Sequence, residues 1–315
     1  MSKIAFVFPG QGSQTVGMMK EFYNDYAVVR DVFKEADGAL GFSLSGMCFE
    51  GPEDQLRLTY NTQPAILTCS IAAMKVLNEH GIKPDIVAGH SLGEYSALVA
   101  ANAISFADAV RTVRKRGQFM QEAVPVGQGS MAAVLGLDGD MIVEICKNAE
   151  ATTGKAVQAV NFNCPGQVVI AGTVEGVNKA IEYLKVAGAK RAILLPVSAP
   201  FHSSLMKPAA ARLAEELKNV AFHDAQIPVV ANVTANEVTA ANEIQELLVE
   251  QAAAPVLWEK SVRNMIANGV TTFVEVGPGK VLTGFTKKIA KEFTALNVED
   301  GVSLEKTLAY FKEVI

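Results

Sequence analysis

The chain has 315 residues, half of them hydrophobic and 19% charged, with 28 Lys and Arg against 33 Asp and Glu for a net charge of −5. This is the composition of a folded globular protein and excludes a disordered or low-complexity chain. The acidic excess argues against general nucleic-acid binding, which leaves a basic footprint, and the length allows one large domain, two, or a large domain carrying an insert. Cys48, Cys69, Cys146 and Cys164 form no C-x-x-C pair; they read as reduced core thiols of a cytosolic protein. The apolar run at residues 4–8 stops at Pro9-Gly10, too short for a signal-peptide core or a membrane span. A soluble, cytoplasmic protein without membrane contact is expected.

In chain order, residues 4–8 have the continuous apolar pattern of a strand covered on both faces. The turn Pro9-Gly10-Gln11-Gly12-Ser13 follows, then helical sequence to about residue 36. Helical periodicity returns over 63–80, with Gly81 as its stop. Residues 85–88 form a short buried strand, followed by Gly89-His90-Ser91-Leu92-Gly93 and an Ala-rich helix to about 103. A further helix starts after Ser105, its N-cap, and runs to about 123. The next stretch changes character: strand 131–137, helix 138–150, strands 156–162 and 167–171, helix 174–186, strand 192–197. This β-α-β-β-α-β order is that of a ferredoxin-like unit of about 70 residues. Helix 205–218, strand 228–233, helices within 241–268, strand 272–276, helix 280–291, strand 294–298 and a last helix complete the chain. The expected fold is α/β, a large domain of residues 1–127 and 198–315 interrupted by a small insert, 128–197.

G-x-S-x-G between a strand and a helix is the pattern of a nucleophile elbow, in which a sharp turn projects the serine and the helix start favours negative charge. Ser91 is the candidate nucleophile. Serine near neutral pH needs a base, usually histidine. Of four histidines, His80 reads as a helix-end cap, His90 as a structural hydrogen-bonding neighbour of Ser91, and His223 as a surface residue. His202 follows a strand across a short loop, where catalytic groups gather in open α/β sheets. Spacing favours His202 without eliminating His223. Gly10-Gln11-Gly12 lacks the third glycine of a dinucleotide fingerprint, Thr15 standing there; an N–H donor for an oxyanion hole is the preferred reading. Arg111, Arg114, Lys115 and Arg116 mostly make a solvated helix face. Arg114 and Arg116, two apart, cannot share a face, and an inward arginine beside a serine nucleophile would clamp a substrate carboxylate.

Six motifs occur together in order: Pro9-Gly10-Gln11-Gly12-Ser13-Gln14, Gly89-His90-Ser91-Leu92-Gly93-Glu94, Arg116-Gly117, Asn163-x-Pro165-Gly166-Gln167, Phe201-His202-Ser203 and Glu275-x-Gly277-Pro278-Gly279. The ordered set, spanning the chain from first strand to last helix, closely resembles the malonyl-CoA:acyl-carrier-protein transacylases of bacterial type II fatty acid synthesis. The resemblance implies an α/β-hydrolase-like large domain with a ferredoxin-like insert. It implies that Ser91 is the nucleophile, His202 its base and Arg116 the malonyl-carboxylate ligand. It further implies oxyanion N–H groups at Gln11 and Leu92, a Gln251 backbone carbonyl that orients the histidine in a Ser–His dyad, and a site-lining Asn163. Malonyl-CoA and acyl carrier protein are the implied partners, with no metal and no bound organic cofactor, and a monomer is expected. The rivals are a serine esterase or thioesterase, which in hydrolase order needs an acid between Ser91 and His202 that does not stand out, a non-catalytic relative, and a free-standing acyltransferase of a polyketide pathway. Since such carrier proteins are acidic, Lys190-Arg191, Lys287-Lys288 and Lys291 are the candidate docking cations.

Overall fold

The computed structural model describes residues 3–197 and 199–314. β1 (Lys3–Phe8) opens the chain, and helices α1 (Lys20–Asp25), α2 (Ala27–Leu40), α3 (Leu44–Glu50), α4 (Glu53–Leu56) and α5 (Thr59–Glu79) separate it from β2 (Ile86–Gly89). Helices α6 (Gly93–Ala100) and α7 (Phe106–Glu122) lead to β3 (Gly129–Leu135), α8 (Gly139–Thr153), β4 (Val157–Cys164), β5 (Gln167–Thr173), α9 (Val174–Val186) and β6 (Arg191–Leu194). The return runs through a 3₁₀ turn (Ser204–Met206), α10 (Lys207–Leu217), β7 (Val229–Val230), β8 (Glu237–Val238), α11 (Ala241–Gln251) and α12 (Trp258–Ala267). β9 (Val270–Val276), α13 (Val281–Ile289), β10 (Thr294–Val298) and α14 (Gly301–Val314) complete it.

Six strands form one sheet in the order β10-β9-β1-β2-β7-β8, parallel except for the antiparallel β7–β8 pair. β1 lies inside it, and its continuous apolar run serves two faces. Phe6 and Phe8 pack with Phe33, Leu67 and Leu98 on one side; Ala5 and Val7 pack with Trp258 and Phe273 on the other. Full burial of each such ring contributes about 1.5–3 kcal/mol. The carboxyl ends of β1 and β2 therefore have a fixed base on which to present their turns.

The second sheet, β4-β5-β3-β6, is antiparallel throughout and has the ferredoxin-like strand order. Helices α8 and α9 cover one face through Ile142, Val177 and Leu184. The other face presents Met131, Val160 and Val169 to Phe201. Val256 stitches this unit to the large sheet's side of the molecule, donating to the Val160 carbonyl at 2.8 Å and accepting from Phe162 N at 2.9 Å. The fold is the α/β architecture expected, with some local corrections. β6 stops at Leu194 instead of reaching 197, and the strand expected over 228–233 reduces to two paired residues before a turn into β8. Ser198, where the sequence places the return to the large domain, lies outside the described residues, as do residues 1, 2 and 315.

Candidate active site

The elbow forms because glycine stands where any side chain would collide. A Cβ on Gly89 would lie 1.8 Å from the Gly93 carbonyl carbon, and one on Gly93 only 2.1 Å from the Phe8 oxygen. The strand-to-helix turn thus presses against the end of β1. Ser91 at its apex has φ 52°, in the left-handed region that L-residues rarely occupy. Asn232 clasps the turn from the end of β7. Its Oδ1 accepts from Ser91 N at 2.7 Å and its Nδ2 donates to the Gly89 carbonyl at 2.6 Å.

His202 meets Ser91 directly, Oγ to Nε2 at 2.7 Å. Its Nδ1 lies 2.8 Å from the main-chain carbonyl of Gln251, the last residue of α11, whose carbonyl has no partner further along the helix. A carbonyl only accepts, so Nδ1 carries the proton and Nε2 is free to take one from Ser91. No carboxylate takes the Gln251 carbonyl's place at Nδ1. His202 also has a positive φ, 63°, in a tight turn closed by the Ser203 hydroxyl donating to Pro200 O at 2.7 Å. Burial first, and then the charge of Arg116, push its imidazole down to about 3. His223 and His80 are exposed, which resolves the choice of neighbour for Ser91 in favour of His202.

Arg116 is the inward member of the basic run, 1% exposed. Its Nη2 donates to Ser91 Oγ at 3.2 Å and to Gln251 Oε1 at 3.0 Å, while Nη1 donates to Gln63 Oε1 at 2.7 Å. Its Nε is buried without a partner. Arg111 and Lys115 make exposed ion pairs with Asp108 and Glu216. Arg114 turns half inward, onto Asn61 Oδ1 and the Phe42 ring. Arg116 reaches the site because Gly117 lets α7 close on α5: a Cβ there would sit 2.5 Å from Tyr60 Cα.

Gln11 lies in the loop after β1, its side chain accepting the Thr59 hydroxyl proton. Leu92 is the N-cap of α6, so its amide precedes the first intrahelical bond. Asn163 bonds to the residue before Ser91, its Oδ1 lying 2.8 Å from His90 Nε2. It therefore ties the end of β4 to the elbow. Burial holds the His90 imidazole below its ordinary value. A separate cavity of about 480 Å³ reaches His202 from the α8 side, past Cys146, Phe162 and Pro255, and includes neither Ser91 nor Arg116.

Three residues at the site carry no role in the sequence reading. Gln63 orders Arg116; Asn232 holds the elbow; Glu94 is 3% exposed on α6 and accepts from Asn232 N and Gln251 Nε2 at 3.0 and 2.9 Å. Asn232 had a usable signal, its place at the carboxyl end of an expected strand. Glu94 had another: a lone acid in a helix otherwise made of small and apolar residues. Gln63 had none.

The acyl transferase domain family model matches residues 5–307. The malonyl CoA-acyl carrier protein transacylase of Bacillus subtilis is 53% identical over 313 residues, covering 99% of this chain and 98% of that one. The crystal structure of an acyl-carrier-protein S-malonyltransferase from Burkholderia pseudomallei superposes with a TM-score of 0.95 at 52% identity, covering 98% of this chain and 99% of that one. A malonyl-transacylase solved in complex with a type II polyketide synthase acyl-carrier protein also gives 0.95, at 46% identity, with 98% and 100% covered. Family match and whole-length identity agree: the chain belongs to the acyl transferase family, among the malonyl CoA-acyl carrier protein transacylases.

Proposed function

We propose that the chain moves a malonyl group from malonyl-CoA to the phosphopantetheine thiol of an acyl carrier protein through a malonyl-Ser91 ester. His202 Nε2 takes the Ser91 proton as Oγ attacks the thioester carbonyl. The oxyanion is held by the amides of Gln11 and Leu92, donors of a kind worth about 2.7–4 kcal/mol when one is removed. The tetrahedral centre collapses, coenzyme A leaves with the proton from His202, and the carrier thiol repeats the steps in reverse. Arg116 receives the free carboxylate of the acyl group. That contact does more than anchor the substrate. The Arg116 charge is one of the causes that hold His202 below its ordinary value, so a carboxylate on Arg116 strengthens the base as the substrate arrives.

The observation that carries this reading is a buried arginine within hydrogen-bond reach of an elbow serine paired with histidine. An esterase needs no such cation. Every proton and charge in the reaction has a side chain or amide assigned to it, so the chemistry calls for no cofactor; among the described residues there is no cluster of three or more metal-ligating side chains. We assign residues 1–127 and 198–315 to the catalytic unit and 128–197 to the insert, and take the protein to act as a cytoplasmic monomer. No helix among the described residues is long and apolar enough to cross a membrane. The carrier belongs to fatty acid synthesis in this reading. The relative solved with a polyketide synthase carrier favours a second pathway for the same chemistry, and competition between the two carrier types separates them. Intact-mass analysis with malonyl-CoA, then with holo carrier protein, tests the whole: malonyl adds to the enzyme and then moves to the carrier. Release of free malonate without transfer would establish a hydrolase instead.

A further inference from the structure

We propose that Glu94 balances the charge of the site, holding Gln251 in register in the free enzyme and taking up a proton when a carboxylated acyl group reaches Arg116. The inference rests on the malonyl reading above and extends it to a residue outside the reacting atoms. Gln251 stands between two opposite charges. Its Oε1 accepts from Arg116 Nη2 at 3.0 Å, and its Nε2 donates to Glu94 Oε2 and to the Ser91 carbonyl, both at 2.9 Å. These partners fix which end of the amide faces which way. The same residue's main-chain carbonyl orients His202. Glu94 thus acts on both clamp and base through Gln251, as a positioning residue.

With Glu94 ionised, the free site encloses one cation and one carboxylate. A malonyl carboxylate on Arg116 makes that two anions to one cation in a place water scarcely reaches, and the least costly relief is to neutralise one of them. The substrate carboxylate is held by direct contact with Arg116, so the proton goes to Glu94. Burial already pushes this carboxyl up to about 7, against the pull of Asn232, Gln251 and Arg116. The other ionisable groups around it do not compete near neutral pH. His202 lies at about 3, burial lowers His90, and burial raises the Tyr95 hydroxyl above its ordinary value. From α7 comes Arg116 itself. The buried residues of β1 and all of β2 bring no ionisable side chain, and Lys75 and Glu79 of α5 and Glu250 of α11 are exposed. The Cys69 thiol of α5 is raised by burial and by Cys48. The covalent step is proton-neutral, since the Ser91 proton leaves on the coenzyme A thiol. Any net uptake therefore reports on the surroundings.

The test is the equilibrium between free and malonyl-Ser91 enzyme at fixed malonyl-CoA and coenzyme A, read by intact mass across pH. For a one-unit rise on malonylation, the acylated fraction's equilibrium constant falls about fivefold between pH 6 and pH 8, because the acylated form binds more protons. In Glu94→Gln, which keeps the shape and an accepting oxygen, the constant stays flat. Wild-type enzyme in weak buffer with a pH indicator supplies the second readout, about half a proton taken up per ester near pH 7.5, and holds whether or not the variant folds. A malonyl enzyme with the same pH slope in both proteins, or no proton uptake, overturns the role of Glu94 and leaves acyl transfer standing. Failure of wild type to form the ester at all overturns the acyl-transfer reading and this inference with it.

Discussion

Arg116 keeps a full charge at 1% exposure, with three donated hydrogen bonds to neutral oxygens and an orphaned Nε. A buried cation so arranged is stabilised far less than one paired with an anion. In the acyl-transfer reading proposed above, the carboxylate it lacks is the one a malonyl group supplies. Arg116→Ala should lower malonyl kcat/KM by about 2–5 kcal/mol, roughly thirty- to several-thousand-fold, while the rate with acetyl-CoA rises relative to malonyl-CoA. Equal losses with both thioesters would show that Arg116 serves only the fold. Ser91→Ala should form no ester by intact mass, and His202→Ala should slow its formation about a hundredfold or more. Because burial and Arg116 keep His202 neutral down to about 3, the acylation rate should show no fall centred on the ordinary histidine value of about 6.5. Such a fall, if it persisted in Glu94→Gln, would mean that His202 is solvated in the working enzyme. The meeting of these side chains was legible because an elbow serine and an inward arginine leave local patterns. Gln63 left no such pattern, and Asn232 and Glu94 showed a position without a role, since what all three do is set by partners 53, 141 and 138 positions away.

Helix α7 shows how an element delivers a side chain. Ser105 caps it, accepting from Asp108 N at 3.1 Å, which fixes its start, and Gly117 fixes its depth against α5. Gly117→Ala places a methyl 2.5 Å from the Tyr60 backbone, so the two helices must part. Overpacking of this kind costs about 1–3 kcal/mol, and because Arg116 adjoins the contact, malonyl transfer should fall further than stability alone explains. A variant with lowered Tm and unchanged malonyl preference would locate the clamp's support elsewhere. The same scale shows where sequence reading stops. The cap at Ser105 and the strand of β1 were plain from composition and period. Helices α3 and α4 were not, because Gly41, Gly46 and Gly51-Pro52 break the sequence into pieces too short for a period to register. β7 reads as a longer strand since Ala231 and Val233 extend its apolar residues, yet only two residues pair with β2.

For the whole molecule, a net charge of −5 opposes an acidic partner at long range, so attraction must be local. The fold assembles two candidate cation groups that lie about a hundred residues apart in the chain. Lys190 lies over Gly136, where an added Cβ would meet its Cγ at 2.6 Å; Gly136 N donates to Gly166 O at 2.9 Å; and Lys288 Nζ approaches Gln167 Oε1 to 3.5 Å. One continuous surface therefore carries Lys190 and Lys288. Charge reversal at Lys190-Arg191 or Lys287-Lys288 should raise KM for carrier protein, more at low salt, with a smaller effect on malonyl-CoA. Unchanged carrier kinetics at low ionic strength would remove this surface from the docking path.

The left-handed backbones of Ser91 and His202 have a consequence for heat resistance. Each L-residue so held costs about 1–2 kcal/mol, and a glycine would not. Two inactive proteins, Ser91→Gly and Ser91→Ala, lose the same hydroxyl and its hydrogen bonds, but only the alanine keeps the strain. The glycine variant should melt about 2 °C higher in calorimetry. In the acyl-transfer reading proposed above, the strained serine forgoes about 2 °C of melting point for the turn that presents its hydroxyl.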